Sequence, residues 1–253
     1  MTRRALIISN PGEDGDENYC AGVHHDVRNY RAFLRSACGG YWDPGEIIHL
    51  PRPPIAEVKA ALAVLKLHDY SVVIFTGHGW YSTTLDTTVL TLRDGQEIDS
   101  SELRNVTPKQ TIILDCCRKK HIGVPLDESL IKASAALLAN QAGRLNPEHC
   151  KKYYNQRIIE CEPASVVLYS CASGQLSEDD SQRGGVYSYN LIDCAEKWAN
   201  NNETNTNFNF DIMSVVAAHN IAKSSVERIE GDNQTPQIEK PRSTPYFPFC
   251  IVA

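Results

Sequence analysis

The stretch "ILDCCRKKH" at residues 113–121 sets two cysteines, Cys116 and Cys117, side by side where an apolar run gives way to a basic cluster. A thiol, with an ordinary pKa of about 8.5, is a mild nucleophile until an imidazole close in space helps to ionise it. The chain offers that imidazole in "FTGHGW", residues 75–80, where His78 sits between two glycines directly after another apolar run. Histidine titrates near neutral pH, so it can accept a thiol proton and later return it to a leaving amine. Flanking glycines let backbone N–H groups approach a carbonyl oxygen, as an oxyanion site requires. A third polar run, Ser170-Cys171-Ala172-Ser173-Gly174-Gln175, also follows an apolar stretch. A lone histidine in a turn or cysteine at a strand end is most often structural. Three such ends in one chain point to a shared site, with either cysteine as its nucleophile.

Elements that could position these ends alternate along the chain. Strands are predicted at residues 5–10, 46–50, 70–79, 110–117 and 164–172, each a short apolar run closed by turn residues. Helices are predicted at residues 23–38, stopped by Gly39-Gly40, at 55–67 after Pro53-Pro54, and near 186–200 and 211–228. Residues 87–98 read as a hairpin around Asp94-Gly95, and "DSSE" at 99–102 as a helix cap. Strands alternating with helices imply an α/β fold with a mostly parallel sheet, in which reacting groups gather beyond the carboxyl ends of the strands.

The chain is 253 residues long, which suits a single domain over residues 1–253. A net charge of −6 leaves no basic field for nucleic acid or an anionic membrane, so neither is expected as a partner. The five or so apolar residues after Arg3-Arg4 are too few for a leader peptide or a membrane span. Nine cysteines without CxxC or Cys/His zinc spacing argue against a disulfide framework or a metal, so no cofactor is expected and a reducing, cytoplasmic setting fits best.

"FTGHGW" followed roughly 40 positions later by "ILDCCRKKH" resembles the caspase-like cysteine peptidases, in particular their paracaspase and metacaspase branch. There one buried strand ends in S/T/A-G-H-G and the next long one in D-x-C, which the paracaspases extend to D-x-C-R-K. The likeness continues in order through "YCAGVHHDVRNYRAFL" (19–34), "YSCASGQLSEDD" with "GGVYSYNLI" (169–192) and "QTPQ" (234–237), covering most of the chain.

The resemblance implies a three-layer fold, a six-stranded, mostly parallel sheet with helices on both faces. It implies a large-subunit-like part at 1–118, a linker-like segment at 119–161 and a small-subunit-like part at 162–253. It makes Cys117 the nucleophile and His78 its base, with the N–H groups of Gly79 and Cys117 as oxyanion donors. Strand alternation agrees, because Cys117 and Asp115 share a face and Cys116 takes the other as a packing residue. The sequence offers no third catalytic residue.

By the same resemblance Asp26 and Asp115 line the pocket for the side chain on the acyl side of the cut bond, and the fifth-strand loop brings Gln175 there, with Glu178 nearby. Each carboxylate about 5 Å from a guanidinium, at an effective dielectric of about 20, contributes about 3 kcal/mol before desolvation. Arginine, whose planar fork can bind two carboxylates, is expected ahead of lysine, and protein or peptide substrates with a basic residue at that position are the expected partners.

Departures from the pattern also inform. Arg118-Lys119-Lys120 stands where metacaspases usually carry His-Ser-Gly, and the acid-rich segment that many of them place after G-H-G is missing, which argues against calcium dependence. A helical pattern at 127–143 and the basic residues Arg144, Lys151, Lys152 and Arg157 in the linker-like segment suggest control by processing or rearrangement, under an upstream activating protein. Two rivals stand beside the peptidase: a catalytically silent caspase-like scaffold, and a nucleotide-binding protein. The second lacks both G-x-G-x-x-G and G-x-x-x-x-G-K-S/T.

Overall fold

Five largely apolar runs and one short polar strand pair into one sheet. In the computed structural model, which describes residues 1–118, 145–202 and 210–253, these are β1 (Arg3–Asn10), β2 (Ile47–Pro51), β3 (Tyr70–Gly77), β4 (Lys109–Asp115), β5 (Ala164–Tyr169) and β6 (Gln237–Glu239). They lie in the order β6-β5-β4-β3-β1-β2, all parallel except β6, which runs antiparallel to β5. The inner strands read as unbroken apolar runs because both their faces are covered.

Strand alternation divides the core in two. Ala5, Ile7, Val72, Ile74 and Ile113 pack with α1 (Val23–Arg35), α3 (Pro147–Glu160), α4 (Val186–Asn202) and α5 (Val215–Glu230). Leu6, Ile8, Val73, Phe75 and Leu114 pack instead with α2 (Ile55–Leu65) and with a small antiparallel layer of Gly79–Ser82, Thr87–Thr91 and Glu97–Asp99. Each fully buried Leu, Ile or Phe stabilises this three-layer arrangement by about 1.5–3 kcal/mol relative to exposure.

Several boundaries differ from expectation for local reasons. β3 stops at Gly77, and Gly79 opens a strand of the antiparallel layer, so His78 occupies the break between two sheets. α1 ends at Arg35, where the Ser36 hydroxyl donates to the Phe33 carbonyl at 2.7 Å before the glycines are reached. Residues 211–214 form a strand paired with Pro248–Val252, and Ser214 then caps α5 by accepting from the Ala217 N–H at 3.2 Å. β5 ends at Tyr169, and β6 and α3 have no counterpart in the expected elements. The α3 start was legible: Asn146 accepts from the N–H groups of Glu148 and His149, with Pro147 in the first turn. The helical pattern expected at 127–143 lies outside the described residues.

Candidate active site

Register brings the two chemically loaded strand tips together. β3 and β4 are adjacent and parallel with Thr76 opposite Asp115, so His78 and Cys117 each lie two residues beyond that matched pair. Both turn to the side of the sheet that α1 covers. The His78 ring meets the loop leading into α1, and the Cys117 thiol donates to the Ser177 carbonyl at 3.7 Å and accepts from the Ser177 N–H at 3.5 Å.

His78 Nε2 lies 3.1 Å from the Pro11 carbonyl. A carbonyl only accepts, so in the neutral ring Nε2 carries the proton and Nδ1 is left as the base. The same carbonyl accepts from the Cys20 N–H at 2.8 Å, and the Cys20 sulfur rests against the ring, 3.8 Å from Nε2 and 4.0 Å from Nδ1. Sequence reading missed both partners: a backbone carbonyl leaves no mark in side-chain identities, and Cys20 approaches His78 only through the fold.

Cys116 faces the other way. It is 2% exposed and packs with Leu114 and Phe75 in the α2-side core, and burial, then the neighbouring Cys171 sulfur, holds its thiol well above the ordinary range. It also lies directly beneath Gly79. A β-carbon at Gly79 would fall 2.8 Å from the Cys116 sulfur and 2.9 Å from the Val89 carbonyl oxygen, so the glycine beside the base is demanded by this packing.

A pair of acids lies beside Cys117. Asp26, on the first turn of α1, is 1% exposed; it accepts from the Thr76 hydroxyl at 2.5 Å and the Gly185 N–H at 3.0 Å. Asp115, at the end of β4, is 5% exposed and accepts from the Ser177 hydroxyl at 2.7 Å, the Ser188 N–H at 3.0 Å and the Ser188 hydroxyl at 2.6 Å. Burial first, then the charge of Asp115, raises the Asp26 carboxyl well above the usual carboxylate range. Gly184 and Gly185 make the approach feasible, since β-carbons there would fall 2.1 Å from Asp26 Oδ1 and 2.4 Å from Asp115 Oδ2. That Gly-Gly was the available sequence signal for backbone passing over buried carboxylates.

The loop after β5 departs from expectation. Gln175 does not join the acid pair, because backbone absorbs its amide: Oε1 accepts from the N–H groups of Ala172 and Thr235 at 3.0 and 2.8 Å, and Nε2 donates to the Asp232 carbonyl at 2.7 Å. Glu178 is half-buried, and after burial its charge is the second influence that raises the Glu230 carboxyl above the usual range. The acid that does act on Asp26 from this loop is Asp179, which also accepts from the Gly22 N–H at 3.0 Å. The ungapped register chose Gln175 because a loop's path carries no periodicity.

Arg118 ties the two tips together. Its guanidinium, nearly buried, donates to the Thr88 hydroxyl at 2.9 Å and the Cys171 carbonyl at 3.0 Å, and its carbon lies 4.1 Å from the Tyr169 ring centroid and 5.2 Å from that of Tyr81. Thr88 and Tyr81 belong to the antiparallel layer that begins right after His78, so this one side chain joins the histidine's sheet to the cysteine's loop.

Of the candidate processing positions, Arg144 lies outside the described residues, while Lys151 and Lys152 lie within α3. Lys151 pairs with Asp43 at 2.6 Å, and Cys150, Tyr154 and Ile158 anchor α3 in the core. Lys152 is exposed, but it, Lys151 and Arg157 all lie in this helix and not in an open linker, so cleavage at any of them would require a packed helix to unwind.

Comparison with known proteins bears on this arrangement. A family profile described as the Caspase domain matches residues 2–248. The crystal structure of caspase-1 from Spodoptera frugiperda is similar in fold, with a TM-score of 0.58 at 13% identity over 94% of this chain and 86% of that one. No curated protein matches the chain. Since the profile spans almost every residue that builds the sheet and its two loaded tips, this chain belongs to the caspase domain family and is a cysteine peptidase of the caspase superfamily.

Proposed function

We propose that the chain is an endopeptidase of the paracaspase type that cleaves after arginine, and more slowly after lysine, through a His78–Cys117 dyad. The observation that carries this reading is the buried pair Asp26 and Asp115 beside the Cys117 thiol, with Asp179 acting on the same pocket. An acidic side chain entering there would meet like charge in a poorly solvated site, whereas a guanidinium would satisfy two carboxylates at once. Arginine displaces the Ser177 hydroxyl from Asp115 on entry.

Chemistry then proceeds between the two neighbouring strand tips. His78, oriented by the Pro11 carbonyl, takes the Cys117 proton at Nδ1. The thiolate attacks the peptide carbonyl, and the N–H groups of Gly79 and Cys117 meet the oxyanion. The imidazolium protonates the departing amine, and water, with His78 as its base, hydrolyses the thioester. A reducing cytoplasmic setting would keep Cys117, Cys116 and Cys20 as thiols.

Cys117→Ala and His78→Ala should each lower kcat/KM for an arginyl fluorogenic peptide by at least about a thousandfold. The aspartyl analogue should be cleaved at least about a hundredfold more slowly than the arginyl peptide by the parent chain. Equal cleavage of the two peptides would discard the pocket assignment, and activity surviving in Cys117→Ala would discard the nucleophile.

A further inference from the structure

Two glutamines cross between the loop after β5 and the segment that leads into β6. Gln175 reaches outward, its Nε2 donating to the Asp232 carbonyl at 2.7 Å and its Oε1 accepting from the Thr235 N–H at 2.8 Å. Gln234, which opens the run "QTPQ" and is 0% exposed, reaches back. Its Nε2 donates to the Ser170 carbonyl at 3.0 Å and to the Ser177 hydroxyl at 3.3 Å, and its Oε1 accepts from the Glu178 N–H at 3.1 Å.

These partners leave the Gln234 amide one orientation. A carbonyl only accepts, so the end at Ser170 is the nitrogen; a backbone N–H only donates, so the end at Glu178 is the oxygen. Nε2 must then donate to Ser177 Oγ as well, and that hydroxyl turns its own proton onto Asp115 Oδ1 at 2.7 Å. The second consequence concerns the nucleophile. The Glu178 N–H and the Ser177 carbonyl belong to one trans peptide unit, which holds them on opposite sides. Gripping the N–H therefore aims the carbonyl away from Gln234, at Cys117, whose thiol donates to it at 3.7 Å. With its own N–H 3.5 Å from the same sulfur, Ser177 covers the thiol with both of its backbone groups.

Resting on the nucleophile and pocket proposed above, we propose that Gln234 is a positioning residue for both halves of the site: through Ser177 it aims a carbonyl at the Cys117 thiol and a hydroxyl at Asp115. Gln234 touches neither group itself, so its whole influence on the chemistry passes through the loop after β5.

Two substitutions separate this role from bulk. Gln234→Met keeps the length of the side chain and removes its donor and its acceptor, whereas Gln234→Glu, neutral when fully buried, keeps an oxygen for the Glu178 N–H and offers a hydroxyl to Ser170. Iodoacetamide labelling near neutral pH, followed by peptide mapping, reads the cover on the sulfur. Cys117 should react about tenfold faster in Gln234→Met than in the parent while Cys116 stays protected, and Gln234→Glu should stay within about twofold of the parent. For an arginyl fluorogenic peptide, Gln234→Met should raise KM by about tenfold, because binding must then order the loop that carries Ser177 and Asp179, and Gln234→Glu should restore most of the loss. If Gln234→Met does not fold, Gln234→Asn, whose amide is one methylene short of Glu178, should show the same two changes at about threefold.

A glutamine that only holds the fold together gives another pattern: a partly unfolded population labels Cys116 along with Cys117 and lowers apparent kcat without moving KM. That pattern overturns the proposal, as do unchanged Cys117 labelling and KM in the folded variant, or a Gln234→Glu chain that behaves like Gln234→Met. If the parent cleaves no arginyl peptide, the function proposed above falls, and the labelling of Cys117 still decides whether Gln234 aims Ser177.

Discussion

Cys116 and Cys117 are neighbours in the chain and opposites in the fold. One faces an apolar core with Phe75 and Leu114; the other faces Ser177 beside two buried carboxylates. The difference arises from a period-two backbone laid between two differently furnished layers. On the α2 side, β4 meets aliphatic side chains and the small antiparallel layer, so a sulfur there serves as a compact hydrophobe. On the α1 side the strand tips open onto the first turn of α1, a glycine pair and the loop after β5, all of which place polar atoms near Cys117.

The largest contrast should appear in thiol reactivity. Iodoacetamide near neutral pH should modify Cys117 at least about a hundredfold faster than Cys116, because burial both shields Cys116 and suppresses its thiolate. Peptide mapping by mass spectrometry reads both rates, and comparable labelling of the two would erase the distinction between the faces.

Removing an acid sharpens the polar side. Asp26→Asn should lower kcat/KM for arginyl peptides by about a hundredfold, since it deletes one charge partner of the guanidinium. It should also raise the melting temperature at pH 7, by about 2–4 °C for each kcal/mol relieved. The folded-state pKa of Asp26 lies above its unfolded value, so the fold prefers the neutral carboxyl. Stability from this group is therefore greatest on the acid side and is lost as pH rises from the usual carboxylate range through the raised pKa. Asparagine has no charge to develop and escapes that loss. In the parent chain the same titration should make the KM for an arginyl peptide fall with rising pH, by at most about tenfold per pH unit, until Asp26 is ionised without substrate. A melting temperature lowered by Asp26→Asn would show that the carboxyl is ionised and paired in the empty site.

Arg118 spans both environments and should give the smallest of these effects on chemistry. Arg118→Lys keeps the charge but loses the fork that reaches Thr88 and Cys171, together with flat stacking on Tyr169. We expect kcat to fall by about tenfold with KM little changed, and stability to fall by about 1–3 kcal/mol in denaturant titration. A loss carried entirely by KM would mean that Arg118 acts on the substrate loop and not on the link between the dyad's two sheets.

Much of this architecture was open to inspection in the linear chain. Apolar runs closed by Gly-His-Gly, Asp-Cys-Cys and Ser-Cys-Ala mark the tips of β3, β4 and β5, because a buried parallel strand must be apolar along its length and can change character only where it leaves the sheet. Boundaries went astray where a single hydroxyl or amide outweighed the apolar pattern, as at Ser36, Ser214 and Asn146.

By itself, then, the sequence determined which residues stand at the strand tips and, through two-residue alternation, which cysteine shares a face with Asp115. Tertiary structure alone decided that the Pro11 carbonyl orients His78, and that Asp179 and not Gln175 joins the acids. Periodicity is a local property, written into neighbouring residues. Backbone acceptors and the paths of loops depend on contacts between segments far apart in the chain, such as the 157 positions from Gly22 to Asp179, and become defined only when the core closes.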